Sequence, residues 1–182
     1  MGGFNILVTS SHRPSRRVRS FINDLAGTIV GVKKINRGKK SLEGLAEIMS
    51  IEGLRTLIIV NTWKANPGRI DVYKRVEGSL SRIGYIVVRS IKLSREQGAS
   101  ACSMRSPRID SSGCKSNNCR VVEEILRELL ELGSMEESGD GVIHIEDRDG
   151  IVYIWFSKDE KICGPGIGIR SAVKLRKERS QS

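Results

Sequence analysis

Two apolar runs, Ile6-Leu7-Val8 and Leu57-Ile58-Ile59-Val60, constrain this chain more than any other feature. Each is short and continuous, the pattern of a strand buried on both faces. Residues 4–9 read as a central strand on that basis, and Leu54 to Val60 as another. Between the runs lie two stretches with apolar residues at helical spacing. The first stripe is Val18, Phe21, Ile22, Leu25 and Ala26; the second is Leu42, Leu45, Ala46 and Met49. Pro14 and Ser15 open the first helix, expected over about Ser15 to Ala26, and Gly27 stops it. Ser41 caps the second helix and Gly53 ends it. Thr28 to Ile35 supplies a short strand between them. The resulting βαβαβ order predicts an α/β fold with a mostly parallel sheet and right-handed crossovers.

Further along, Asn66-Pro67-Gly68 reads as a turn and Arg69–Val76 as a strand with one polar face. Ile83–Ile91 is a strong strand. Residues 94–117 are rich in Ser, Arg, Gly and Cys and read as one long loop, mobile or functional. They divide the chain into a basic N-terminal half (1–93), a linker (94–117) and a C-terminal half (118–182). Asn117 or Asn118 caps a third helix with a broad apolar face, Val121, Val122, Ile125, Leu126, Leu129 and Leu130. Val142–Ile145 and Ile151–Phe156 form a hairpin across Asp147-Arg148-Asp149-Gly150. A last strand runs over Ile167–Leu175, and the charged tail 176–182 is expected to fray.

The 182 residues carry a formal net charge of +10. The charge is segregated: residues 1–40 hold nine Lys and Arg against one acid, whereas residues 116–150 hold ten acids against three bases. Basic surfaces around loops and helix starts imply an anionic partner, nucleic acid before others. No apolar run approaches the roughly 20 residues that span a bilayer. Met1-Gly2-Gly3-Phe4 leads straight into a strand, without a signal-peptide pattern. A cytoplasmic protein with no membrane partner is expected.

Four cysteines stand at Cys102, Cys114, Cys119 and Cys163. Cys114 and Cys119 have zinc-ligand spacing, but no second pair or nearby histidine completes a metal site. A disulfide within the 102–119 loop and unpaired, partly buried thiols are the other readings, with thiols the default.

The strongest candidate site is the segment Thr9 to Arg19, which carries four arginines at the start of the first helix. A helix start offers unpaired N–H groups and the positive end of the macrodipole. Ser10 and Ser11 can donate hydroxyls to phosphate oxygens, and Arg13, Arg16 and Arg17 charge-assisted hydrogen bonds. Arg37, Lys39 and Lys40 repeat the device before the second helix. In a parallel sheet both helix starts lie near the carboxyl ends of strands, so the two can form one phosphate surface. The ordinary reading of each is a solvated, charged loop.

No P-loop ending follows the first strand, so nucleotide hydrolysis is not supported. Gly164-Pro165-Gly166-Ile167-Gly168 precedes a strand rather than a helix and reads as backbone geometry. No cofactor is expected. His12 sits in the basic loop, and His144 in a strand reads as structural; neither has an evident catalytic partner. The eight aromatics form no paired base-stacking motif, and Trp63 is the best candidate for an exposed ring.

Several short motifs recur in a fixed order: Ile6-Leu7-Val8-Thr9-Ser10-Ser11 with Pro14-Ser15, Ile35-Asn36-Arg37-Gly38, Leu57-Ile58-Ile59-Val60, Pro67-Gly68-Arg69-Ile70, His144–Phe156, and Gly164-Pro165 leading into Ile169-Arg170. On these the chain resembles the Brix-domain family, in the short archaeal form related to a small-subunit processome component of eukaryotes. The resemblance implies two similar α/β halves, each like the anticodon-binding domain of class II aminoacyl-tRNA synthetases. It also implies a ribosome-biogenesis factor that binds ribosomal RNA precursor and is not an enzyme. Guide RNA and other ribosome-assembly proteins are the further expected partners. The rival readings are a tRNA-binding accessory module, a small phosphate-ester enzyme, and a protein-interaction scaffold using the acidic third helix.

Overall fold

The computed structural model describes residues 5–133 and 138–175. The expected fraying of 176–182 and the run-in from Met1 to Phe4 lie outside them. The elements in chain order are β1 (Ile6–Ser10), α1 (Arg16–Thr28), β2 (Val32–Lys34), α2 (Leu42–Ile51), β3 (Thr56–Trp63), β4 (Asn66–Val76), β5 (Ser79–Lys92), β6 (Pro107–Gly113), α3 (Asn117–Leu130), β7 (Gly141–Arg148), β8 (Ile151–Lys158) and β9 (Lys161–Lys174). A 3-10 turn, Ser94–Gln97, follows β5.

All nine strands join one mixed sheet in the order β2-β1-β3-β4-β5-β9-β8-β7-β6. The expectation of a mostly parallel sheet is corrected. Only β1–β2, β1–β3 and β6–β7 are parallel. The other five pairings are antiparallel. Four of the five follow from two-residue hairpins, at Lys64-Ala65, Glu77-Gly78, Asp149-Gly150 and Asp159-Glu160; the fifth is the central pairing of β5 with β9. Both residues of each turn have positive φ, the backbone of a type I′ turn, whose twist matches that of the strands it joins. The turn expected at Asn66-Pro67-Gly68 therefore begins two residues earlier, at Lys64, and Asn66, Pro67 and Gly68 open β4.

The sheet order is mirrored about its centre. Inside the extra edge strand β2, the strands β1, β3, β4 and β5 are met in turn; from the other edge, β6, β7, β8 and β9. In each half a helix follows the first strand, a parallel strand comes next, and two hairpins finish the run. The two 14-residue strands β5 and β9 pair at the centre. Residues 94–117, expected as one loop, instead contain the 3-10 turn and β6, the parallel edge partner of β7.

Helices α1 and α3 lie on one face and bury the main core. Val18, Phe21 and Ile22 of α1 and Val122, Ile125 and Leu129 of α3 meet Ile58, Val72, Ile143, Ile154 and Ile169 of the sheet. Each such side chain contributes roughly 1.5–3 kcal/mol when fully buried. Helix α2 lies on the opposite face, where Leu45 and Met49 cover Leu7, Leu57 and Ile59. Ser15 and Ser41 cap α1 and α2 by accepting from the backbone N–H of Val18 and Gly44. The α3 cap is Ser116 rather than an asparagine, and it accepts from Cys119 N–H. Asp147 holds Ser116 in turn, accepting from its hydroxyl and backbone N–H at 2.6 Å each.

The cysteines form two disulfides, Cys102–Cys163 and Cys114–Cys119. The expectation of unpaired thiols is thereby overturned. The second bridge falls within the 102–119 segment; the first ties that segment to β9.

Candidate nucleic-acid interface

Because β1 and β2 run parallel, the loops leaving them emerge at the same end of the sheet. Thr9 Oγ1 donates to the Ile35 carbonyl at 2.9 Å. His12 Nδ1 lies 2.8 Å from the Gly38 carbonyl oxygen. The two basic segments are thus physically joined. The β3–β4 turn closes the third side, since Ser15 Oγ donates to Ala65 O at 2.7 Å and Ser11 Oγ accepts from Thr62 N–H at 3.3 Å. Trp63, the last residue of β3 before that turn, is 68% exposed.

The eight expected site residues separate into two groups. Arg13, Lys39 and Lys40 are exposed on the joined loops, and Arg16 is exposed at the first residue of α1. Arg13 takes a left-handed backbone, φ 57°, which turns the chain just before Pro14. Lys40 Nζ donates to Asn36 O at 3.1 Å. The other four residues do structural work. Ser10 is 4% exposed and Arg37 8% exposed. Arg37 Nε donates to Lys40 O at 2.7 Å, and burial pushes its guanidinium pKa down from the ordinary value. Ser11 supports the β3–β4 turn. Arg17 forms a two-pronged pair with Glu96, with Nη2–Oε2 at 2.9 Å, and also reaches Ile91 O at 3.2 Å. The Arg17 hydrogen bond holds the Glu96 carboxyl at a pKa of about 2, helped by Leu93 N–H.

The arrangement brings exposed cations of both basic segments, Arg13, Arg16, Lys39 and Lys40, to one end of the sheet, with Lys64 and Trp63 exposed beside them. Among the described residues, no group of three His, Cys, Asp or Glu side chains is placed to hold a metal ion. None of their helices is long and apolar enough to cross a membrane.

A second cluster was not singled out by sequence reasoning. On β7 and β8, His144 stacks on Trp155 with centroids 3.6 Å apart and planes 5° from parallel. Glu146 accepts from Trp155 Nε1 at 3.2 Å and from Arg148, whose guanidinium lies 5.5 Å above the Tyr153 ring. Burial lowers the His144 pKa, only partly opposed by Asp110. The signal was present in the two-residue alternation of both strands, which puts His144, Tyr153 and Trp155 opposite the buried Ile143, Ile145, Val152 and Ile154.

No family model matches the chain. Its relatives are nonetheless consistent. A probable Brix domain-containing ribosomal biogenesis protein of Methanococcus maripaludis is 32% identical over 174 residues, covering 93% of this chain and 98% of that protein. One of Pyrococcus horikoshii is 38% identical over 93 residues, 51% of this chain. That match spans only 42% of the Pyrococcus horikoshii protein, less than half of its length. The crystal structure of a probable ribosomal biogenesis protein from Aeropyrum pernix K1 superposes with a TM-score of 0.77 at 31% identity, covering 92% of this chain and 96% of that one. With 32% identity over nearly the whole length of one relative and the same fold in another, the chain belongs to the family of Brix domain-containing ribosomal biogenesis proteins.

Proposed function

We propose that this chain is a non-catalytic ribosome-assembly factor that binds ribosomal RNA precursor in the cytoplasm by clamping phosphates at its two basic loops. The observation that carries this reading is the His12–Gly38 contact, which makes one surface of Arg13, Arg16, Lys39 and Lys40. Such contacts give affinity and orientation but little sequence choice. The A-form shape of the RNA, a guide RNA, or neighbouring assembly proteins would supply the rest. The mirrored strand order fits the expectation of two similar halves.

The test is binding to small-subunit ribosomal RNA fragments, tRNA and duplex DNA across a salt series. A preference for ribosomal fragments that persists at moderate salt is the expected result. A preference for tRNA would favour an accessory tRNA-binding module. Equal binding to all three, erased by salt, would favour a protein scaffold.

A further inference from the structure

The face of the sheet that carries α2 is covered by that helix only over its N-terminal strands, where Leu7, Leu57, Ile59 and Tyr73 lie beneath it. Among the described residues, no helix covers the same face over β9, β8 and β7. A groove of about 270 Å³ runs there, lined by Tyr153 and Trp155 on one side and by Ser90 and Lys92 on the other. Its floor is Gly166 and Gly168. A Cβ on Gly168 would collide with Ser90 Oγ and come within 3.3 Å of the Tyr153 ring. The groove therefore exists because β9 has no side chain there.

The strand order fixes how the tryptophan is used. His144, on β7, occupies one face of the Trp155 ring. The groove lies on the β9 side, so the opposite ring face fronts it. Glu146 fixes the indole from the edge and neutralises Arg148 in part. Lys92 is exposed and forms no ion pair among the described residues. A planar slot with a rigid aromatic wall, a glycine floor and a cation at the rim matches an unpaired nucleotide, with its base on the ring and its phosphate near Lys92.

We infer that this groove binds the bases of single-stranded RNA by stacking on Trp155 and Tyr153. The inference rests on the RNA-binding reading above and adds a site on another part of the sheet. The basic loops hold phosphates of any RNA; the groove takes only bases that are out of a helix. Stacking of this kind is sequence-tolerant and weakly dependent on salt compared with phosphate contacts.

The chain has two tryptophans, so Trp63→Phe leaves Trp155 as the reporter. Titration of that variant with a short oligoadenylate is expected to quench Trp155 fluorescence, whereas an RNA duplex of equal length is not. Trp155→Ala is expected to weaken oligoadenylate binding roughly tenfold with an unchanged salt slope, and Trp155→Phe to keep most of it. Absence of quenching, or quenching by the duplex alone, overturns the inference. So does oligoadenylate binding by a normally melting Trp155→Ala protein with wild-type affinity. If Trp155→Ala fails to fold, the quenching result decides. The combined Arg16→Ala/Lys39→Ala/Lys40→Ala variant separates the two sites. Quenching that survives in it with an unchanged salt slope removes the clamp and keeps the groove. A shallower slope in it without any quenching removes the groove and keeps the clamp.

Discussion

The imidazole Nδ1 of His12 lies 2.8 Å from the backbone carbonyl oxygen of Gly38, 26 residues away. That contact binds the loop before α1 to the loop before α2, and so turns two charged segments into one surface. His12→Ala removes the tie without removing a lysine or arginine. RNA affinity is expected to fall about two- to fivefold, the scale of one net hydrogen bond, with an unchanged salt slope. Isothermal titration at several salt concentrations checks both.

Arg16 and Arg17 are neighbours in sequence with different work to do. Arg17 is only 32% exposed and holds Glu96 and the Ile91 carbonyl; Arg16 is exposed. Arg17→Ala is expected to lower the melting temperature, through loss of a pair worth up to about 1 kcal/mol and of the bond to Ile91. Arg16→Ala is expected to leave melting unchanged and reduce the salt slope of RNA binding by about one. Thermal melts and salt titrations of the two variants distinguish the roles.

Acid should destabilise the fold over a defined window. Glu96 and Asp140 are both held at about pH 2, Glu96 first by its Arg17 hydrogen bond. At Asp140, burial opposes the charge, but the N–H groups of Arg105 and Ser106 and the Lys158 ammonium outweigh it. Because these folded-state values lie below the unfolded ones, their stabilisation is present above about pH 4.5 and is lost as pH falls toward 2. Glu96→Gln is expected to flatten the upper part of that loss in urea unfolding curves measured from pH 6 to 2.

Reduction should act mainly through one bridge. Cys102–Cys163 closes a separation of 61 residues and Cys114–Cys119 one of 5. Loop-closure entropy gives upper values of about 4 and about 2 kcal/mol respectively. Cys102→Ser/Cys163→Ser is expected to lower the midpoint of denaturation more than Cys114→Ser/Cys119→Ser, and reductant to bring the wild type close to the sum.

Much of the N-terminal half was legible because its signals are local. The stripes of α1 and α2 stand where the periodicity placed them, and Ser41 caps α2 as expected; Ser15, expected as the first residue of α1, is its cap, and the helix runs through Gly27 to Thr28. The antiparallel character was harder to see. Lys64-Ala65 and Asp159-Glu160 are hairpin turns without glycine, so their positive φ values had no sequence mark. Strand β6, Pro-Arg-Ile-Asp-Ser-Ser-Gly, has one buried residue and is held by its ladder with β7 rather than by an apolar pattern. At the candidate interface the basic residues were legible as charge, but the roles of Arg17 and Arg37 were not. Both are decided by partners far away or by burial in the finished fold.

In the proposed mode of binding, Arg13, Arg16, Lys39 and Lys40 hold RNA phosphates as one surface. The direct measurement is the slope of log affinity against log salt for a small-subunit ribosomal RNA fragment, for the wild type and for the variant with Arg13→Gly, Arg16→Ala, Lys39→Ala and Lys40→Ala. Glycine is chosen at Arg13 because the backbone there is left-handed. A slope shallower by roughly three units is expected, at about 0.7–0.9 per phosphate contact, in a protein that melts like the wild type. An unchanged slope in that folded variant would contradict that mode of binding.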